Sequence, residues 1–510
     1  MTRVYSNRLS EYTHENGGRV ILLFLLFSLA IYLFINAGFN AFAVICLSPL
    51  AILFVYATFK WKKGVFGALI IVNWFIMNRN LSLPFPVSLA DESLELLLIA
   101  IAIIDIRETP HFERAWNFMF LAIMIWCGLC LIEILNDTCG LGLNFNAWFT
   151  GFRYMAMHLI WIILVFSLYI SDPKTLTLYL RLWACLSLFS ALYTWKMIHI
   201  GLTATESAWL YSPNNHTHLL NAGTLIRYWS TFNDAASYGC NAAASAVAFL
   251  IFGITSKIKS DKVFFLLTSA IVIWGMFQSG TRTAIITLIA GFVVYLFLSK
   301  SVKILVPSAI IGGILLFILI FTNIGNSNQQ MRRMRSAFKT KEDASANVRD
   351  INKAAIAKYM KEAPWGIGLG MLSKDIPANN KFKKLSDIPP DSEYVFIWVR
   401  TGLIGVTVFT CCMVLMFLGG CYIVLFRLKN RTLIGIGGGL CAAFVSIQLG
   451  GYANQILLQY PNGLTFFGGM AIVYLLPYIE PKWIEYEEKR LAKIEEKKRL
   501  KLDKKLASRV

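Results

Sequence analysis

The chain is divided into long, uninterrupted apolar stretches, and these constrain its fold more than any motif does. A helix crossing a bilayer needs roughly 20 mostly apolar residues, because each residue rises about 1.5 Å through about 30 Å of hydrocarbon. Inside lipid every backbone N–H and C=O must find its partner within the protein, which leaves helices or a closed barrel. Barrel strands alternate apolar and polar residues. The stretches here are continuous, so the expected fold class is all-α, a polytopic transmembrane helix bundle. Candidate spans fall at 19–38, 41–59, 64–77, 91–106, 115–135, 153–171, 176–197, 235–255, 263–279, 283–299, 303–322, 395–426, 433–452 and 463–478. The third and fourth are short, so the expectation is about 12–14 spans.

Of 510 residues, 57% are hydrophobic, against about 45–50% in soluble domains. A net charge of +19 would suggest a nucleic-acid partner in a soluble protein. Its distribution here gives another reading. With the N-terminus in the cytoplasm and the spans alternating, the inner loops read KWKKG, DIRETPHFER, SDPKTLTLYLR, SKIKSDK, LSKSVK and FRLKNR, followed by the tail. Each carries positive charge, as cytoplasmic loops do. No nucleic-acid partner is expected, whereas membrane lipids are.

The outer segments become 78–90, 136–152, 198–234, 280–282, 323–394 and 453–462. The chain thus divides into the first part of the bundle, 1–322, an outer loop, 323–394, the last spans, 395–478, and a basic cytoplasmic tail, 479–510. Both termini are then cytoplasmic, and the first span is long enough to stay in the membrane uncleaved. In the tail, Glu485 with Lys489 and Glu495 with Arg499 are spaced to pair on one helix face.

The loop 323–394 is long for a connection between spans, and loops of that length are usually functional or disordered. It holds 13 Lys/Arg against 8 Asp/Glu, on the side where the charge rule demands no such excess. Asn347 is placed to cap a helix with Asp350 in its first turn. Val348, Ile351, Ala355 and Tyr359 then share one face, and Pro364, Gly366, Gly368 and Gly370 end the element. The expectation is an amphipathic helix on the outer face.

Four arginines sit on the same side: Arg227 in LIRYWSTFNDAASYG, Arg282 in QSGTRTA, Arg349 at the start of the loop helix, and Arg400 in EYVFIWVRTGLIG. Arginine near lipid is costly and normally has a partner, and its planar fork suits phosphate. Together the four suit a diphosphate headgroup on a membrane lipid. Snorkelling or structural ion pairs would account for any one of them singly. Asp391 and Glu393, in PPDSEYVF just before a span, are candidate bases, since a boundary carboxylate is easily desolvated. Asp91, Glu92 and Glu95 form a second outer acid cluster, read as structural partners for these four arginines.

Ten cysteines lie mostly inside apolar blocks. Cys127 and Cys130 form a CxxC within a span and read as packing residues, with no second pair at zinc spacing. His216 and His218 make an H-x-H with no acidic or Cys ligand nearby. No metal and no cofactor are expected. The run Gly366-x-Gly368-x-Gly370 lacks the strand and the lysine of a nucleotide loop.

Taken in order, these pieces resemble the O-antigen ligase and O-antigen polymerase superfamily of bacterial envelope membrane proteins. An Arg followed by a GTFxNPN-like stretch corresponds to Arg227 through Phe232, Asn233 and Asp234 to Ala236. An SxSRTA-like turn corresponds to Ser279 through Ala284. A loop helix bearing an Arg, then P-x-x-G-x-G-x-G, corresponds to Arg349, Pro364, Gly366, Gly368 and Gly370. A final HNxYLxxxxxxGxxG segment corresponds to Asp391 through Tyr394 to Gly402 and Gly405. The likeness covers roughly 225–410. It departs at Asp391-Ser392, where the family pattern has His-Asn.

The resemblance implies a metal-independent membrane glycosyltransferase. Its donor would be a glycan on a polyprenyl diphosphate, and its acceptor a lipid A-core, another glycan or a protein hydroxyl. It places the protein in the bacterial inner (cell) membrane, with the active site facing the periplasm. Arg227 and Arg282, with Arg349 and Arg400, would bind the diphosphate. Asp391 or Glu393 would take the role of the family's His, deprotonating the acceptor. The rival from another class is a transporter or flippase of the same lipid, which predicts an internal repeat and acids or broken helices at mid-membrane. A structural scaffold leaves the outward arginines unexplained.

Overall fold

The computed structural model describes residues 59–81, 88–104, 112–212, 217–220, 225–300, 302–324, 329–335, 338 and 344–507, with scattered positions between 17 and 56. The expected spans 19–38 and 41–59 lie largely outside the described residues, as does His216. The chain forms two compact units, Met1–Val65 and Phe66–Val510. In the first, the Gly64 and Val65 N–H groups bond to Trp61 O at 2.7 and 3.1 Å, where α1 (Lys62–Phe75) begins.

The second unit is a helix bundle. After α1 come α2 (Ser88–Ile104), α3 (Phe118–Ile132), α4 (Phe145–Tyr169), α5 (Pro173–His199) and the short α6 (Ala204–Leu210). They are followed by α7 (Ala235–Thr255), α8 (Lys259–Gln278), α9 (Arg282–Leu298), α10 (Val302–Phe321), α11 (Gln329–Arg335) and α12 (Ala344–Met360). The last three are α13 (Glu393–Tyr422), α14 (Arg431–Ala453) and α15 (Gly468–Ala507). A small antiparallel hairpin, β1 (Leu219–Leu220) with β2 (Leu225–Ile226), pairs Leu219 with Ile226.

Among the described residues, eight helices are long and apolar enough to cross a membrane, and Arg282–Leu298 is a shorter apolar one. The chain is a multi-pass membrane protein. The expected spans at 64–77 and 91–106 fall on helices of 14 and 17 residues, and residues 105 and 106 lie outside the described residues.

The centre of the bundle is α7, whose start, AASYGCNAAASAVA, is nearly all small residues. Small side chains let helix backbones approach without a lipid-excluding drive. Thus Ser269 Oγ donates to Ala246 O at 2.8 Å, and Gly435 and Gly439 of α14 meet Thr255 and Phe252 of α7. The apolar window of α7 is 89% buried, that of Glu393–Arg427 only 33%, so α13 forms an outer wall exposing Leu403, Leu415 and Leu418.

Contacts sort the connections into two groups. Asn136 Nδ2 donates to Trp365 O, Asn380 Nδ2 to Cys139 O, Gln330 Nε2 to Ile226 O, and Leu457 N to Glu393 Oε2. At the other end Lys257 pairs with Glu487, and Arg181 and Arg490 both pair with Asp261. Lys429 N and Asn430 N also bond to Glu480 there. Segments that alternation assigns to one side therefore touch one another. The tail continues the last helix without a break, and Lys489 pairs with Glu485 on its surface.

The loop helix differs from its expected form. It starts at Ala344, so Asn347 is internal rather than a cap. Val348 and Ile351 are 54% and 67% exposed, and the buried residues are Ile356 and Met360. Only its C-terminal half packs, against Phe382, Leu385 and Val399, with Tyr359 alongside. After it the chain doubles back onto α13: Ile367 N bonds to Val399 O at 2.9 Å, Gly368 N to Arg400 O at 3.1 Å and Leu403 N to Pro364 O at 3.1 Å. Gly366 (φ 76°) and Gly402 (φ 67°) face each other there. A Cβ on Gly366 would stand 2.4 Å from the Arg400 carbonyl carbon, and one on Gly402 1.8 Å from Pro364 O.

Candidate active site

Arg227 directly follows β2, held by its backbone N–H to His218 O at 2.9 Å. Its Nη2 donates to Thr281 Oγ1 at 3.1 Å and its Nη1 to Thr217 O at 3.3 Å. Thr281 in turn donates to Ala235 O at 2.8 Å, so the start of α7 and the α8–α9 turn are pinned together. Asp234 caps α7, accepting from Ala236 N at 2.7 Å and Ser237 N at 2.8 Å. Burial lowers the pKa of the Arg227 guanidinium; Asp234 opposes this, and the like charges of Arg282 and Arg349 add to it. Those repulsions place Arg282 and Arg349, two of the other three sequence-predicted arginines, within electrostatic range of Arg227. Positive charge held this close favours an anion between the groups.

Two further arginines, not singled out by sequence, belong to this region. Arg333 of α11 donates from Nε to Gly280 O at 2.7 Å, and a Cβ on Gly280 would lie 3.3 Å from Arg227 Cγ and 3.5 Å from Arg333 Cδ. Arg79 donates to Asn233 O and lies 3.5 Å above the Trp209 ring. Burial lowers its pKa to about 10, against the pull of Asp234. The signal for Arg333 was present in the MRRMR run; nothing local marked Arg79, whose partners are more than a hundred residues away.

Arg349 leads from this cluster into a cavity of about 360 Å³, also lined by Asn352, Asp391, Tyr394, Trp398 and Tyr452. Asn352 Nδ2 donates to Asp391 Oδ2 at 2.9 Å, fixing the carboxylate from α12. Tyr394 OH donates to Gln448 Oε1 at 2.9 Å, and Ser392 Oγ to Gly451 O at 3.3 Å, which tie the cavity floor to α14. Lys353 lies 6.0 Å from the Tyr452 ring at the mouth.

Glu393 and Arg400 do not line this cavity. Glu393 is 1% exposed and accepts the Leu457 N–H at 2.9 Å, with Ile456 N and Leu458 N also directed at it. It holds the loop between α14 and α15. Arg400 lies over the Phe396 ring at 5.3 Å, in range of Asp375. His218 is buried between Trp209 and Trp229, and its Nε2 accepts the Ala235 N–H at 3.3 Å. Cys127 and Cys130 are buried free thiols, as packing residues should be. Of the acid cluster, Glu92 pairs at 3.0 Å with Arg153, which is not one of the four arginines the sequence singled out.

A multi-pass helix bundle in which Arg349 and Asp391 line one cavity is the class that the architecture defines. Residues 242–410 match the family model described as O-antigen ligase. Over this segment, which runs from α7 through the loop helix into α13, the chain is similar to a family of membrane-embedded glycan-transferring enzymes. Arg227 lies just before the matched segment, while Arg282, Arg349, Asp391 and Arg400 lie within it. No curated protein matches the chain.

Proposed function

We propose that the protein transfers a glycan from a polyprenyl-diphosphate carrier to an acceptor hydroxyl, at the periplasmic face of the bacterial inner membrane. The observation that carries this reading is that Arg349, within electrostatic range of Arg227, lines the same cavity as Asp391. The Asp391 carboxylate takes the acceptor proton as the acceptor oxygen attacks the anomeric carbon. The bond from that carbon to the diphosphate oxygen breaks, and the electron pair leaves with the diphosphate. The arginines stabilise the charge developing there, so no acid is needed to protonate the leaving group and no metal is needed in the cavity. Glu393, Arg400 and Arg79 support the frame in this reading. The acceptor is a lipid A-core, a second lipid-linked glycan or a protein hydroxyl.

The rival reading, movement of the lipid across the bilayer, expects ionisable groups in the bundle interior, and one such group exists at Asp91, Glu95 and His158. The test is reconstitution in vesicles with a polyprenyl-diphosphate oligosaccharide and each acceptor class, without added divalent ions. Glycosylated acceptor with released polyprenyl diphosphate supports transfer. Translocated, uncleaved donor supports the rival.

A further inference from the structure

The helices α2 and α4 carry a second cluster that the transfer reading does not use. Asp91, Glu95 and His158 are buried, and one ligand atom from each lies within 4.8 Å of the other two. His158 Nδ1 is 3.1 Å from Glu95 Oε2, and His158 Nε2 is 3.9 Å from Asp91 Oδ2, so the imidazole stands between two carboxylates. Asn73 Nδ2 holds Asp91 from α1, reaching both carboxylate oxygens at 3.1 Å. Two atoms of the cluster, His158 Nε2 and Glu95 Oε1, are buried without a hydrogen bond. Orphaned polar atoms at such depth cost free energy unless a ligand completes them.

The charge points the same way. Asp91, Glu92 and Glu95 face one guanidinium, that of Arg153, and one imidazole. With the imidazole neutral, two negative charges remain uncompensated, the charge of one divalent cation. Imidazole with two carboxylates is a donor set for zinc, and a ligating histidine commonly gives its other N–H to a carboxylate.

We propose that Asp91, Glu95 and His158 bind a divalent cation of zinc type, as a structural site separate from the transfer cavity. The cation would join α2 to α4 where a π turn over Arg153–Met157 precedes His158. The Tyr460 ring lies 5.4 Å from His158, so the site also adjoins the loop that Glu393 holds through Leu457. This departs from the sequence reading, which expects no metal, because only the fold brings residue 158 to residues 91 and 95.

The experiment uses the full-length protein purified in detergent, stripped with a chelator and titrated with Zn²⁺ alone. Metal content is measured by elemental analysis and stability by thermal unfolding. Expected are about one Zn²⁺ per chain and a Tm that rises with Zn²⁺ concentration. His158→Ala and Asp91→Asn should each weaken binding on the order of 100-fold or more. Glu92→Gln, which removes the Arg153 pair and no ligand, should still bind Zn²⁺. Co²⁺ loading gives a second readout independent of variant folding: visible d–d bands in the native protein that Zn²⁺ displaces. No bound metal and no Zn²⁺-dependent Tm in the native protein would overturn the proposal and assign the cluster to protons. Neither readout depends on glycan transfer.

Discussion

Asn352 Nδ2 donates to Asp391 Oδ2 at 2.9 Å, which couples the loop helix α12 to the carboxylate at the entrance of α13. The helix thereby sets the orientation of the one cavity-lining carboxylate that stands where the family pattern has a histidine. Asn352→Ala removes this bond and leaves Asp391 in place. Loss of a hydrogen bond to a charged group costs about 1.5–3 kcal/mol, so the transfer rate is expected to fall roughly tenfold or more. Initial rates at saturating donor and acceptor check this.

Asp391 and Glu393 differ in their partners, Asn352 Nδ2 for the first and the Leu457 N–H for the second. Glu393→Ala strips the Leu457 N–H of its acceptor inside the protein, and a buried unsatisfied donor costs about 1–3 kcal/mol. Tm should drop while the rate per folded molecule changes little. A variant that keeps its Tm but loses transfer would move the base from Asp391 to Glu393.

Arg227→Lys keeps a charge and loses the planar fork. With Arg282 and Arg349 nearby, the cluster would still attract an anion but would hold a diphosphate less well. Donor KM should rise on the order of tenfold, with the acceptor KM unchanged. Equal effects on both would argue for a general structural role.

Much of the fold was legible because lipid removes alternatives. Continuous apolar runs of sufficient length have to be helices, and α7 spans the same 235–255 that hydropathy marks. The arginines at 227, 282 and 349 drew attention because cations near apolar segments need a reason, and the fold puts the latter two within electrostatic range of the first. What sequence did not carry was distance. Periodicity chose Val348 and Ile351 as the packed face of α12, but packing is set by where the helix meets Phe382 and Val399, which lies at its other end. Glu393 read as chemistry because its neighbour does, while its partner Leu457 is distant in the chain. Asp91 and Glu95 gave no hint of His158 for the same reason.

The clasp between the loop and α13 gives a stability prediction. Both Gly366 and Gly402 have positive φ and no room for a Cβ. Gly402→Ala should destabilise the protein by more than about 1 kcal/mol, measured as a lowered unfolding midpoint. An unchanged midpoint would mean that the loop is not held to α13 in this way.

Acid should weaken the α5–α6 corner. Burial raises the pKa of Glu206, but bonds from Tyr193, Thr203 and Asn80 and the charge of Lys196 outweigh it, so the carboxyl is lowered below its ordinary 4.5. A group with a depressed folded pKa stabilises above its unfolded value and ceases to as pH falls through the folded one. Native protein should therefore lose Tm below pH 4.5 more steeply than Glu206→Gln. Parallel profiles for the two would contradict the assignment.

In the proposed reaction Asp391 takes the acceptor proton beside an arginine-held diphosphate. The direct test is single-turnover transfer from a polyprenyl-diphosphate oligosaccharide by native protein and by Asp391→Asn, with donor binding measured separately. General-base loss predicts a rate reduced on the order of 10²–10⁴-fold while donor affinity is retained. Native-like turnover by Asp391→Asn, in protein that binds donor normally, would contradict the claim.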